Sequence, residues 1–252
     1  MMPNNNDKLS GRVALITGAA HRLGAAIARC LHAHGMNIVL HCRTSRAAAD
    51  ALEKKLNSDR GRSVVVVQGN LLNNTELTRI ATESIKAWNR IDILINNASS
   101  FYETPLGSAT EQQWDDLLGT NLKAPFFLTQ ALAGQLQQQQ GCIVNITDIH
   151  AQRPLKTYPV YSVAKAGLAM LTKAMARELG PAVRCNAIAP GTILWPEGHM
   201  SEFVKEEIIS RTALKRQGHP DDVARAVLFL IRDADYMTGE IITVDGGRSL
   251  GI

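Results

Sequence analysis

Tyr161 and Lys165 stand four residues apart in YSVAK, a spacing that puts both side chains on one face of a helix, one turn apart. A lysine ammonium beside a phenol stabilises the phenolate and lowers a pKa that is ordinarily about 10, which makes the tyrosine a usable proton donor near neutrality. Such pairs are common on helix surfaces, so this one gains weight from its company. Upstream, residues 17–24 read TGAAHRLG between an apolar run and a helical pattern. Small residues there let backbone N–H groups approach a phosphate at a helix start. Gly18 and Gly24 are six apart, unlike the standard GxGxxG fingerprint. The next apolar run ends in HCRTSR, residues 41–46, with no acid to accept from a ribose 2′-hydroxyl. It carries Arg43 and Arg46 instead, and guanidinium suits a 2′-phosphate, which favours NADPH over NADH. The bland alternative is a solvated helix start.

These groups need a frame. Short apolar, β-branched runs recur at 13–17, 37–41, 63–69, 91–96, 141–147, 183–189 and 240–246. Helical spacing fills the intervals at 24–34, 46–57, 76–88, 111–136, 158–179 and 221–232. Strands apolar on both faces that alternate with helices predict an α/β fold, a seven-stranded parallel sheet covered on both sides. The alternation uses nearly the whole chain, so one doubly wound domain over 1–252 is expected. Two stretches break the rhythm. Residues 99–110 (SSFYETPLGSAT) form a turn-rich loop, and residues 190–219 contain PGTILWPEG and the helix-like SEFVKEEIISRTAL. A long segment after a strand's carboxyl end in such a fold is placed to cover a substrate. The tract QLQQQQG reads as the solvated last turn of a helix before a glycine stop. The fourth strand ends in NNAS, residues 96–99, polar groups placed to hold loops around a ligand.

Composition narrows the rest. Of 252 residues 45% are hydrophobic and 20% charged, with 27 Lys plus Arg against 23 Asp plus Glu and a net charge of +4. That balance excludes a disordered or collagen-like chain, and a chain of this size buries enough surface to need no metal or disulfide staple. The basic residues are scattered, which argues against a nucleic-acid groove. Cys30, Cys42, Cys142 and Cys185 lie far apart, so neither a zinc site nor a disulfide framework is expected. The polar start MMPNNNDKLSGR lacks a signal-peptide core, and no run approaches the ~18 apolar residues of a membrane span. A cytoplasmic enzyme with no membrane contact is the expectation.

The order TGxxxRxG, NNA, Asn121 in NLKAPF, YxxxK and a terminal VDGG resembles the short-chain dehydrogenases/reductases over residues 11–249. The resemblance implies a single Rossmann-like domain, a nicotinamide cofactor and a tetrad of Asn121, residue 148, Tyr161 and Lys165. Lys165 would also hold the nicotinamide ribose, and Asn121 would position a relay water. The cofactor site would draw on Gly18, His21, Arg22 and Leu23, then His41, Arg43, Thr44 and Ser45, then Asn70 and Leu71. It would continue through Asn97, Ala98 and Ser99 to Tyr161, Lys165, Pro190 and Gly191. No metal is implied. Family members are usually tetramers, and 111–136 and 158–179 would supply the interface of a homotetramer.

Two positions depart from the family. Most members carry Ser thirteen residues before the tyrosine, where this chain has Asp148. A carboxylate would repel a developing alkoxide and is better suited to passing a proton to a basic ring nitrogen. The alternatives are a helix cap unrelated to chemistry, or Thr147 standing in one residue away. Arg22 replaces the turn's middle Gly, where a guanidinium reaches both phosphate and an acceptor on substrate. Phe101, in NASSFY, could stack a planar heterocycle or merely plug the loop. Together TGAAHRLG, NASSFY, TD before YSVAK, and VDGGRSL resemble the pteridine reductase branch, and VRCNAIAPGTILWPEG is similar to dihydromonapterin reductases. The resemblance implies NADPH-dependent reduction of dihydropterins to tetrahydro forms, with oxidised pterins or dihydrofolate as further substrates. Arg22, Ser99, Phe101, Asp148 and Tyr161 would contact the pterin, with Trp195 in the covering segment. The rival readings are a generic carbonyl or 3-oxoacyl reductase and a non-catalytic NADPH-binding regulator.

Overall fold

The computed structural model describes residues 8–195 and 200–250. Its strands are β1 (Val13–Ile16), β2 (Asn37–Cys42), β3 (Val64–Gln68), β4 (Ile93–Asn96), β5 (Cys142–Ile146), β6 (Arg184–Pro190) and β7 (Ile241–Val244). Their side chains are apolar on both faces because both faces are covered: Ala14, Ile16, Ile38 and Leu40 enter one buried cluster, and Val13, Leu15 and Val39 enter the other. All neighbours pair in parallel, in the order β3-β2-β1-β4-β5-β6-β7. The chain starts in the middle, winds out to β3, and crosses back to build β4 through β7. The reversal between β1 and β4 opens a crevice at the strands' carboxyl ends.

The helices are α1 (Arg22–Ala33), α2 (Arg46–Asp59), α3 (Asn74–Lys86), α4 (Glu111–Leu118), α5 (Ala124–Gln138), α6 (Pro159–Leu179), α7 (Glu202–Ser210) and α8 (Pro220–Arg232). Ile27 and Leu31 of α1, Leu52 and Leu56 of α2, and Val223 and Val227 of α8 cover one face. Ile80 of α3, Leu128 and Leu132 of α5 and Met175 of α6 cover the other. No described helix is long and apolar enough to cross a membrane.

The single helix expected over 111–136 is interrupted. A π-helical turn at Gly119–Lys123 separates α4 from α5. Pro125 has no N–H to offer the carbonyl of Asn121, so an unbroken α ladder cannot run through this point. Asn121 adds to the break, since its side-chain Nδ2 donates to the Leu117 carbonyl at 2.9 Å and competes with the backbone.

A buried polar chain ties the sheet to α6. Asn96 of β4 donates through Nδ2 to Asn145 Oδ1 at 2.8 Å, and Asn145 Nδ2 donates to Thr172 Oγ1 of α6 at 2.9 Å. Thr172 then donates to the Leu168 carbonyl at 2.8 Å, and Asn145 and Thr172 are fully buried. Each member is satisfied only while the others stay, so the network fixes where α6 sits on the sheet. Asn145→Leu is expected to strand the Asn96 amide and to lower unfolding free energy by about 2–4 kcal/mol, read by denaturant titration. A loss within ~0.5 kcal/mol would mean the network does not hold α6.

Candidate active site

Thr17, the residue after β1, organises the crevice. Its Oγ1 accepts from the Asn97 and Ala98 amides, each at 2.9 Å, and donates to the Ile95 carbonyl. Asn97 Nδ2 returns across the gap to the carbonyls of Thr17 at 2.8 Å and Gly18 at 3.1 Å. Helix α1 presses onto this clasp. A Cβ on Gly24 would lie 2.4 Å from the Gly18 carbonyl oxygen and 2.6 Å from Asn97 Nδ2, so no larger residue fits. NNAS therefore locks the turn directly rather than only shaping loops.

The start of α1 is open to an anion. His21 makes no side-chain cap, and no acidic residue occupies the first turn, so the first N–H groups and the helix dipole face the cleft uncompensated. Arg22 adopts φ +51°, the left-handed region that disfavours a side chain by about 1–2 kcal/mol. Its Nη2 donates to the Trp195 carbonyl at 2.8 Å, bridging the turn and the segment after β6. His41 is a brace. It is buried and held neutral, its pKa pushed down to about 4 by burial. Nε2 pairs with the Gly69 carbonyl at 3.0 Å, and Nδ1 accepts a long bond from the Gly18 amide at 3.4 Å.

Arg43, Thr44 and Ser45 line the same cleft beyond β2. Arg46 does not. Its Nε pairs with Asp50 at 2.7 Å on α2, so the solvated-helix reading holds for Arg46. The cleft, about 910 Å³, is also lined by Gly18, His21, Leu23, Asn70, Leu71, Asn97, Ala98, Ser99, Pro190 and Gly191. Gly191 is forced, since a Cβ there would lie 2.5 Å from that of Asp245.

At the opposite end Tyr161 Oη donates to Asp148 Oδ2 at 2.7 Å. The other carboxylate oxygen accepts from the His150 amide at 2.8 Å and caps a short 3₁₀ turn, Ile149–Ala151. Asp148 is thus both a cap and a partner of the phenol. Thr147 cannot stand in for it, because its hydroxyl donates to the Ile188 carbonyl at 2.8 Å inside the sheet. Asn121, 1% exposed, accepts from Ser99 Oγ at 2.6 Å and donates to the Ser100 carbonyl at 3.0 Å, so the π-turn and the loop after β4 meet beside the phenol.

The expected sign of the phenol's shift is wrong for this structure. Burial, then the charge of Asp148 and its hydrogen bond, push the Tyr161 pKa well above its usual value, with a Ser99 bond opposing. Lys165 does not offset this, because its Nζ donates to the Ile146 carbonyl at 2.9 Å and sits 5.7 Å from the ring centroid. Burial lowers Lys165 itself to about 8, against the charge of Asp148. The site thus stores a neutral phenol on a carboxylate beside a reluctant cation.

Phe101 lines the cleft, partly exposed, stacked on Tyr158 at 4.6 Å and 13° and standing nearly perpendicular to Tyr161 at 4.8 Å. Tyr158 also lines the cleft and was missed from sequence. Its signal was an aromatic three residues before Tyr161. Trp195 and Met200 line the cleft too, while residues 196–199, expected to help cover it, lie outside the described residues. Among the described residues no cluster of His, Cys, Asp or Glu could hold a metal ion.

A family model described as enoyl-(acyl carrier protein) reductase matches residues 18–249. Pteridine reductase 1 of Leishmania tarentolae is 36% identical over 279 aligned positions, covering 94% of this chain and 96% of that protein. A 3-oxoacyl-(acyl-carrier-protein) reductase of Synechocystis is also 36% identical, over 244 positions, covering 95% and 97%. A 3-oxoacyl reductase of Staphylococcus epidermidis is 34% identical over 238 positions, covering 93% and 97%.

The buried lysine makes a testable claim about stability. An unfolded lysine titrates near 10.5 and this one near 8, so between those values the unfolded chain holds more protons and stability rises with pH. Below pH 8 the folded state bears the full cost of the buried charge. Stability measured from pH 7.5 to 10 is expected to rise by roughly 2–3 kcal/mol more in the native protein than in Lys165→Met. Equal slopes would refute the shift.

Proposed function

This chain belongs to the short-chain dehydrogenase/reductase family of nicotinamide-dependent oxidoreductases, and from that premise we propose that it is an NADPH-dependent pteridine reductase converting dihydropterins to tetrahydropterins. The observation that carries the reading is the 2.7 Å bond from Tyr161 to Asp148. Relatives named for pterins and for 3-oxoacyl groups match equally well, so overall likeness does not choose between them. The support for a pterin comes from the acid that meets Tyr161, Asp148. Both reductions end with a proton on the acceptor atom, but a nearby carboxylate opposes negative charge building on oxygen, whereas a basic ring nitrogen takes the proton without passing through an anion.

The cofactor's fit rests on the uncapped start of α1, the glycine cradle at Gly18 and Gly24, and Arg43 with Thr44 and Ser45 at the end of β2. NADPH bound there supplies the hydride for the carbon of the pterin C=N bond. The chain supplies everything else. Tyr161 and Asp148 deliver a proton to the ring nitrogen, and Asn121, already tied to Ser99, orders a relay water that restores it. Lys165 anchors ribose, and a bound partner for its ammonium relieves part of its burial cost. Arg22 and Ser99 meet the polar edge of the pterin, and the Phe101 ring, which lines the cleft, covers its plane.

The same reading places the enzyme in the cytoplasm as a homotetramer. Trp114 of α4, Phe126 of α5, and Val163 and Met170 of α6 are each 42–64% exposed and support contact with further copies.

A panel of dihydrobiopterin, dihydromonapterin, dihydrofolate and an acetoacetyl thioester with NADPH tests the reading. Turnover is expected on the pterins and little on the thioester. Asp148→Ala is expected to lower pterin kcat at least ~100-fold. Undiminished NADPH oxidation in that variant, or faster thioester reduction by the native enzyme, would reject the pterin assignment in favour of an oxoacyl reductase. For the cofactor, Arg43→Ala should raise KM for NADPH by about tenfold while sparing NADH.

A further inference from the structure

The cleft lining shared with Trp195, Met200 and Ile208 includes a guanidinium that the proposed chemistry does not use, that of Arg248. It opens the short turn Arg248–Leu250 after β7. Asp245, its nearest acid in sequence, is spent on the backbone, accepting from the Gly247 amide at 2.8 Å and the Ser249 amide at 2.6 Å. Arg248 donates through Nη1 to the Ile208 carbonyl of α7 at 2.9 Å, and no salt bridge to it is found among the described residues. Burial and the charge of Arg211 both disfavour its charged form, with Asp245 opposing. A guanidinium half withdrawn from water without a carboxylate is a standing cost that a bound anion would remove.

Beside it Lys205 stands 6.0 Å from the centroid of the Trp195 ring with its ammonium already paired with Glu202 at 2.7 Å, and Arg22 donates to the Trp195 carbonyl. The needs of a dinucleotide are met elsewhere. Its phosphates have the start of α1 and Arg43 beyond β2, and β7 lies five strand positions from β2 in the sheet order, roughly 24 Å at the usual strand spacing. Tyr161 and Asp148, beside β5, lie between the two.

We propose that this part of the lining is a subsite for an anionic group, a carboxylate or a phosphate, on the tail of the substrate, with Arg248 as its bidentate partner. The subsite rests on the pterin reading and extends it, because it makes the preferred substrate a reduced pterin with a charged tail. The ring is processed at Tyr161 and the tail is recognised at β7.

Native enzyme, Arg248→Met and Arg248→Lys are compared with NADPH on three substrates: dihydrobiopterin with its neutral side chain, dihydrofolate with its glutamate, and dihydromonapterin phosphate. The ratio of KM for a charged-tail substrate to KM for dihydrobiopterin should rise roughly tenfold to a hundredfold in Arg248→Met, with kcat ratios unchanged and partial recovery in Arg248→Lys. A rise with dihydrofolate alone identifies the carboxylate as the source, and a rise with the phosphate alone identifies the phosphate. Thermal stability and NADPH affinity of each variant are measured alongside. Unchanged ratios, an equal rise for all three substrates, or weakened NADPH binding would overturn the subsite while leaving pterin reduction intact. Absence of turnover on every pterin in the native enzyme would overturn the pterin reading, and the subsite with it.

Discussion

Everything at the carboxyl edge of the sheet depends on the clasp between Thr17 and Asn97. A parallel sheet wound outward in both directions leaves a gap between β1 and β4, and backbone groups at the two strand ends lose their ladder partners there. The Thr17 hydroxyl accepts from two amides and the Asn97 amide returns to two carbonyls, so the gap is closed with four bonds from two side chains. That closure leaves no space above Asn97, which makes Gly24 obligatory and brings the start of α1 against the turn. The positive end of a helix then points into the crevice. The anion site follows from satisfying four backbone groups.

The acid end follows a different logic. A chain of buried amides and a hydroxyl, Asn96 to Asn145 to Thr172, sets α6 on the sheet, and α6 carries Tyr161 and Lys165. Their side chains are then buried together with Asp148 close by. Burial disfavours the charged forms of Tyr161 and Lys165, and the arrangement leaves the phenol protonated with its hydroxyl donated to Asp148. This costs stability at neutral pH through Lys165. It also keeps a transferable proton within one hydrogen bond of a carboxylate that can take it up or replace it.

Much of this was legible in residue order. Strand positions followed from β-branched runs, the turn from small residues before a helix, and the Tyr161–Lys165 pair from helical spacing. What escaped depends on geometry that only the folded chain sets. The sign of the Tyr161 shift depends on which charge lies nearer, and the sequence spacing of four names Lys165 while the fold brings Asp148 from thirteen residues away. Arg43 and Arg46 look alike in sequence, yet one faces the cleft and the other reaches Asp50 a turn along α2. The π-turn was announced by Pro125, which was read as part of a helix when it removes a bond from one. Tyr158 at the start of α6 carries no spacing signal of its own, and it reaches the cleft by packing on Phe101.

Asp148 separates structural from chemical necessity. As the cap of the 3₁₀ turn it accepts one amide bond, from His150, and serine or asparagine caps as well. Capping therefore explains an oxygen at this position but not a carboxylate. The second oxygen meets Tyr161, where a serine hydroxyl would leave the phenol with a weaker acceptor and a carboxylate gives it a strong one. A carboxylate beside the reacting bond is unfavourable for a reaction that builds negative charge on oxygen. It is favourable for one that must place a proton on nitrogen. The 3₁₀ cap alone does not call for a carboxylate, so the charge at Asp148 is matched to Tyr161 rather than to the turn.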